Sequence, residues 1–308
     1  MKLLFKLFVL ILMTSDLALA QQASAEFPRL TGPYLGQKPP GTTAEVFAPG
    51  IVSTASLEHS KISFAKDGSA FYWAAQPSLR TNIFQQRIWF VEKIAGGWSK
   101  PVELNIPQVA LATPMLSLDE KKLFYTGSEN SSIKDLGQRV KEFFVLDLAS
   151  KKIENISRQF PALKDCWSFS IAENGDIYFD RSGENAWEIS VLRKQNGKYM
   201  PPEKLPAEIN DGSQNIHPFI SPDGKYLLFS SSRAGGYGSA DLYVGFKDKD
   251  GQWTIVKNLG NAINSDWRER FPSVANDGKY LFFTRRNDES NDFYWVDAKI
   301  INELKPKE

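Results

Sequence analysis

Short runs of alternating apolar and polar residues, or of solidly apolar ones, recur along the chain from Ala44 onward, each bounded by Gly, Asp or Asn. Such runs mark strands. Two of them joined by an acidic or Gly turn occur five times: SKISFAKDGSAFYWAA, TPMLSLDEKKLFYTGS, CWSFSIAENGDIYFDRS, HPFISPDGKYLLFSSS and FPSVANDGKYLFFTRR. The equivalent turn positions are Gly68, Glu120, Gly175, Gly224 and Gly278, spaced 49 to 55 residues apart. Each pair leads through a variable loop to a third run: RIWFVEKI, EFFVLDL, WEISVLR, DLYVGFK and DFYWVDAKI. In four copies a hairpin turn and a fourth run follow: KPVELNI, KIENIS, PEKLPA and TIVKNLG. Four strands per repeat at a period near fifty predict propeller blades.

The last copy stops early, because only INELKPKE follows DFYWVDAKI. Its missing strand is expected at the other end of the chain, where AEVFAPG (Ala44 to Gly50) stands just before the first copy. Pairing there would close the ring and remove the exposed sheet edges. The fold class expected is therefore all-β, a single β-propeller of five four-stranded blades closed by an N-terminal strand. Six blades, the alternative, would need a further copy, and Gln21 to Thr43 is short for one. The domain reading is a signal peptide over 1–20, an N-terminal extension over 21–43 and the propeller over 44–308. Asp67-Gly68, Asn174-Gly175, Asp223-Gly224 and Asp277-Gly278 suit tight turns that need a positive φ. Repetition in blade after blade makes them architecture.

Ser221-Pro222-Asp223-Gly224-Lys225-Tyr226-Leu227-Leu228-Phe229-Ser230, with Arg233 and Asp241-Leu242-Tyr243 behind it, resembles the WD40-like repeat of the TolB-type bacterial propellers. Phe271 to Arg285 repeats it with Asn276 in place of the usual Pro. The resemblance covers all five copies and is weakest in the second, where Asp119-Glu120 replaces Asp-Gly. TolB resembles this chain only in its propeller part. The resemblance implies an exported propeller with a protein-binding role, although a fold does not fix a function.

The first twenty residues add the compartment. MKLLFKLFVLILMTSDLALA has Lys2 and Lys6, an apolar stretch from Leu7 to Met13, and Ala18-Leu19-Ala20. That is the order of a secretory signal, with cleavage expected after Ala20 and a second site at Ala23-Ser24-Ala25. The apolar stretch is too short to span a membrane, and no later run approaches the ~20 residues needed. A periplasmic or secreted protein is expected. The 37 basic and 36 acidic side chains nearly cancel over 308 residues, which gives no long-range field for nucleic acid or anionic membrane. Cys166 is the single Cys, so an intramolecular disulfide is excluded, and its apolar-aromatic surroundings (DCWSFSI) suit a buried small hydrophobe.

Chemistry is sought on the face opposite the Asp-Gly turns, where chain segments enter the first strands and join second to third. Glu58, His59, Asp165, His217 and Arg270 are expected around the channel mouth, with Trp167, Tyr237 and Arg286 on the same face. Arg181, Arg233 and Arg285 end second strands and face Glu188, Asp241 and Asp292 at the start of third strands; cross-loop ion pairs are expected. Arg270 and Arg286 have no such partner and are the candidates for contact with an anion. His59 and His217, the only two histidines, lack the close spacing of a metal motif, so neither metal nor cofactor is expected. Asp248 to Gly251 reads as a hairpin turn, since the rest of a calcium loop is missing. No P-loop, dinucleotide fingerprint or G-x-S-x-G elbow occurs. The function expected is non-catalytic binding of a protein or peptide of the cell envelope. The alternatives are a glycosidase or lyase using Glu58 and Asp165 as an acid/base pair, or a lectin-like binder of a glycan.

Overall fold

In a computed structural model, which describes residues 27–77, 85–129, 141–164, 166–184, 186–212 and 214–307, the same turn closes all five first hairpins. Gly68, Gly175, Gly224 and Gly278 stand at φ 63°, 87°, 71° and 72°, and Glu120 holds the same conformation at 58°. The residue before each accepts a hydrogen bond from the backbone N–H two positions on. Asp67 accepts from Ser69, Asp119 from Lys121, Asn174 from Asp176, Asp223 from Lys225 and Asp277 from Lys279. A short polar side chain thus caps a turn that glycine makes sterically cheap.

From these turns grow five antiparallel four-stranded blades. Blade 1 pairs a split first strand, Leu57–Glu58 and Ser63–Phe64, with Ala70–Gln76, then Arg87–Ile94 and Val102–Glu103. Blade 2 comprises Val109–Leu116, Lys122–Ser128, Glu142–Asp147 and Ile153–Asn155, and blade 3 Phe169–Ile171, Ile177–Ser182, Trp187–Leu192 and Glu203–Lys204. Blade 4 comprises Asn215–Ile220, Tyr226–Ser231, Asp241–Lys247 and Trp253–Asn258. Blade 5 has only three strands from its own repeat, Arg268–Val274, Tyr280–Arg286 and Asn291–Asp297. Its fourth is Glu45–Val46, with Glu45 opposite Trp295 and Val46 opposite Tyr294, so the N-terminal segment closes the ring as expected. Beyond the third strand the chain turns into a short helix, Lys299–Leu304, whose Ile301 is buried between blades 4 and 5.

One apolar cluster fills each of the five gaps between neighbouring blades. Tyr125 and Phe144 stack between blades 1 and 2, Phe143 and Phe169 between 2 and 3, and Phe229 and Tyr243 between 3 and 4. Cys166 is buried with Phe143 and Phe169, as its sequence surroundings suggested. Blades 5 and 1 meet over the aromatic-rich seam of Phe47, Phe64, Phe71, Phe282 and Trp295. Burying each large side chain contributes about 1.5–3 kcal/mol, so the seam that carries the ring closure is well supplied. Residues 27–43 lie across the turn face of the same two blades. Trp98 donates from its backbone N to the Leu30 carbonyl and from Nε1 to the Gly32 carbonyl (2.9 and 2.8 Å), and the Tyr34 hydroxyl donates to Asp277 (2.9 Å). The signal segment expected over 1–20, with both proposed cleavage sites, lies outside the described residues. Among the described residues no helix is long and apolar enough to cross a membrane.

Candidate functional site at the channel mouth

Seven positions before the turn residue, each repeat places one side chain at the ring axis: Lys61, Thr113, Ser168, His217 and Phe271. The first strands are irregular here. Register slips between Val109 and Met115, Ile216 and Phe219, and Arg270 and Ser273. Thr113, His217 and Phe271 adopt φ of 51°, 57° and 52°, and each precedes a proline. A left-handed conformation at a non-glycine residue costs about 1–3 kcal/mol and tends to mark functional segments. The strain sits at three of the five axial positions, Thr113, His217 and Phe271.

Lys61 spans that centre. Its Nζ donates to the carbonyls of Phe169 (2.5 Å) in blade 3 and Pro218 (2.6 Å) in blade 4, so a blade 1 side chain ties the opposite side of the ring. It is fully enclosed, and burial pushes its pKa down to about 7, with Asp180 opposing. Asp180 is equally enclosed. It accepts from the backbone N–H groups of Trp167 (2.6 Å), Ser168 (2.9 Å) and His217 (2.8 Å). Burial raises its pKa, and those three amides act against the rise. Lysine and aspartate together brace the loops around the mouth.

Above this brace sits a cationic and aromatic cluster. Arg270 Nη1 lies 3.4 Å from His59 Nε2. A guanidinium only donates, so this contact requires the lone pair of His59 on Nε2. The His59 ring packs edge-on against Phe271 (4.9 Å) and Trp167 (6.3 Å), His217 packs at a tilt against Phe271 (3.7 Å), and Lys141 Nζ stands 3.9 Å over Trp167. Burial holds His217 well below the usual histidine range, helped by Arg270, His59, Lys61 and Lys141, so its imidazole is neutral. Arg270 is pushed down to about 9 by burial and by the like charges of Arg268 and Arg286.

The structure brings His59, Trp167, His217 and Arg270 together. Arg286 is exposed beside Arg268, its register partner. Tyr237 is also exposed, with Trp267 against its loop: Ser239 N donates to the Trp267 carbonyl and Arg268 Nε to Ser239 Oγ. Asp165 lies outside the described residues. Glu58 departs from expectation. Its strand pairs with Ala70–Gln76 and contacts blade 5, so the carboxyl is buried between blades and accepts from the Thr54 N–H (3.3 Å) and hydroxyl (3.2 Å). Burial, reinforced by Asp292, pushes it up to about 9.

The cross-loop ion pairs are a second partial departure. Arg181 does pair with Glu188 (2.9 Å). Arg285 instead pairs with Glu269 on its own first strand (2.7 Å) and donates to the Ile263 carbonyl. Arg233 reaches the carbonyls of Glu208 and Ile209 and lies over the Tyr243 ring, while Asp241 caps the amides of Tyr237 and Gly238. A carboxylate satisfied by its own loop leaves the arginine to find backbone acceptors. Sequence reading missed Lys61, because an isolated lysine at the start of a strand looks like a solvated one. The x-Pro step at the same repeat position, in Thr113-Pro114, His217-Pro218 and Phe271-Pro272, is the signal that could have located the axis. Among the described residues no group of three or more His, Cys, Asp or Glu gathers to hold a metal.

No family model and no curated protein matches the chain in sequence. Its fold does match solved structures. TolB from Acinetobacter baumannii superposes over 80% of this chain and 53% of its own, at 16% identity and a TM-score of 0.51. In fold, the chain is similar to the propeller of that TolB. It spans about half the length of that TolB. A putative TolB from Agrobacterium tumefaciens matches over 75% of this chain and 71% of its own, at 14% identity and a TM-score of 0.48. An α-L-arabinofuranosidase from Lactobacillus brevis matches over 80% of this chain and 91% of its own, at 10% identity and a TM-score of 0.50. At these identities the likeness is one of fold, which TolB and the glycosidase both share with this chain.

Proposed function

We propose that this protein is an exported binding propeller that takes a protein or peptide of the cell envelope on its channel-mouth face. The observation that carries the reading is the composition of that face. Tyr237 and Trp267 are exposed by 49% and 43% on two loops that brace each other, beside Arg268 and Arg286. Tyr, Trp and Arg are the side chains that dominate binding energy at protein interfaces, and braced loops lose little freedom on binding. The signal-like first twenty residues support export. The likeness to TolB supports a propeller scaffold for such a partner.

A carbohydrate enzyme would need two carboxylates facing an open pocket. Asp165, the partner expected for Glu58, lies outside the described residues; Glu58 is enclosed between blades with Thr54, and Asp180 is wrapped by three amides. Neither is placed as an acid or a base, and this favours binding over turnover.

The test is a pull-down from the native cell envelope with the protein and its Tyr237→Ala/Trp267→Ala variant, followed by mass spectrometry. A stoichiometric protein retained by the former and lost from the latter is expected. Retention of the same proteins by both would remove this face as the binding site.

A further inference from the structure

The guanidinium of Arg270 is left incomplete in an unusual way. Nε is buried without a hydrogen-bond partner, and Nη2 makes no hydrogen bond among the described residues. Among the described residues the one hydrogen-bond contact of the group is Nη1 with His59. Beside it, His217 is 2% exposed and its Nδ1 also has no partner. Buried polar groups are almost always satisfied, and a charged one left unpaired is costly. Two orphans on neighbouring blades, His217 at the ring axis and Arg270 next in sequence to the axial Phe271 and close enough to act on His217, therefore ask for an acceptor from outside the chain.

Cations give the largest charge effects on both groups, and the Asp180 carboxylate beside His217 is the acidic exception. Arg268 and Arg286 act on Arg270, and Arg270, His59, Lys61 and Lys141 act on His217. Asp180 does not supply the acceptor, since both its oxygens are taken by the amides of Trp167, Ser168 and His217. Glu269, next in sequence to Arg270, meets Arg285 and the Ser265 hydroxyl through Oε1 and keeps a buried Oε2 without a partner, but successive side chains of a strand leave it on opposite faces, so it does not serve Arg270. The rings of Phe271 and Trp167 pack against the two histidines beside Arg270, and a low local dielectric strengthens a charged contact made there.

We propose that the channel mouth is a receptor for a single carboxylate of the partner segment, held side-on by Nε and Nη2 of Arg270, with Nδ1–H of His217 as a further donor. A carboxylate fits because its two oxygens match the planar fork of a guanidinium in a bidentate contact. The carboxylate can be that of a chain end or that of an Asp or Glu side chain. This inference rests on the binding reading above and supplies its chemistry.

The two histidines of the chain are both at this site, which gives a direct readout. Untagged protein labelled with 15N-histidine would be titrated with N-acetylglycine, as a chain-end carboxylate, and with N-acetylglutamic acid α-amide, as a side-chain carboxylate. N-acetylglycinamide and inorganic phosphate serve as controls. Saturable shifts of both imidazole spectra with at least one carboxylate are expected, and none with the amide. The tighter of the two acids identifies the source. Arg270→Gln should weaken binding about tenfold or more, the size of a lost charge-assisted contact. Arg270→Lys keeps the charge but not the fork, and should fall in between; it also covers the case in which the glutamine variant does not fold. No saturable shift with either acid, an equal response to the amide, or phosphate binding as tightly as the acids would overturn the proposal. The pull-down separates this from the parent reading. A partner that still binds Arg270→Gln at full strength refutes the carboxylate and leaves the partner face intact, whereas carboxylate binding without any partner does the reverse.

Discussion

The two faces of the ring treat the same repeat in opposite ways. On the turn face one position is nearly uniform: four glycines and Glu120, all with positive φ and all capped by the preceding Asp or Asn. Seven residues earlier, at the axis, the five copies carry Lys61, Thr113, Ser168, His217 and Phe271, with no two alike. Uniformity follows from a requirement shared by every blade, the reversal of the chain between two strands. Diversity is possible at the axis because the five positions meet one another, and each needs only to fit its four neighbours. A position at which repeats differ while geometry stays equivalent is where a propeller acquires individual chemistry.

The largest expected effect tests whether the axis also holds the ring together. Lys61→Ala would leave the carbonyls of Phe169 and Pro218 without their donor and remove a cation that interacts with Asp180. A loss of about 3 kcal/mol is expected by analogy with broken buried pairs, read by denaturant unfolding. An unchanged midpoint would show that the strut is dispensable. Next in size, Tyr237→Ala/Trp267→Ala should cost partner binding about 2 kcal/mol or more without moving the thermal midpoint, since both side chains are exposed.

Glu58 offers a pH test. Its folded pKa, about 9, lies above the ordinary value of 4.5. Between those values the folded state holds a proton that the unfolded state has released, so stability falls as pH rises through that window. Glu58→Gln keeps the neutral shape and removes the titration. Its melting temperature should decline less between pH 6 and 9 than that of the parent protein. Parallel curves would show that the carboxyl is not buried as described. The smallest effect is on the turn face. A Cβ added at Gly224 meets nothing within 4 Å, so Gly224→Ala should cost only the left-handed conformation, about 1 kcal/mol. A much larger loss would mean that the turn has packing partners in solution.

Much of the architecture was legible because it depends on local rules. Period-two alternation and Asp-Gly spacing gave the blades, and the missing last strand gave the closure by Glu45–Val46. The candidate site was only partly legible. His59, Trp167, His217 and Arg270 could be grouped because the repeat places their segments on one face. Glu58 could not be placed correctly, because adjacent residues of a strand point to opposite sides, and His59 and Glu58 divide between the mouth and the gap between blades. The arginine partners were misjudged for a similar reason. Arg285 faces Asp292 in the strand register, but the shorter path led to Glu269 on the other neighbouring strand.

By itself, the sequence determined the repeat, the turn chemistry, the order of strands and the closure of the ring, since each follows from backbone sterics and hydrophobic alternation within some fifty residues. Only the tertiary structure decided that Lys61 crosses the axis, that Asp180 is consumed by backbone amides, and that Arg270 and His217 stand side by side with donors to spare. Those relations join blades that are distant along the chain. They depend on strained x-Pro steps and on which hydrogen-bonding partners remain once neighbouring loops have satisfied themselves, and that accounting closes only when the ring does.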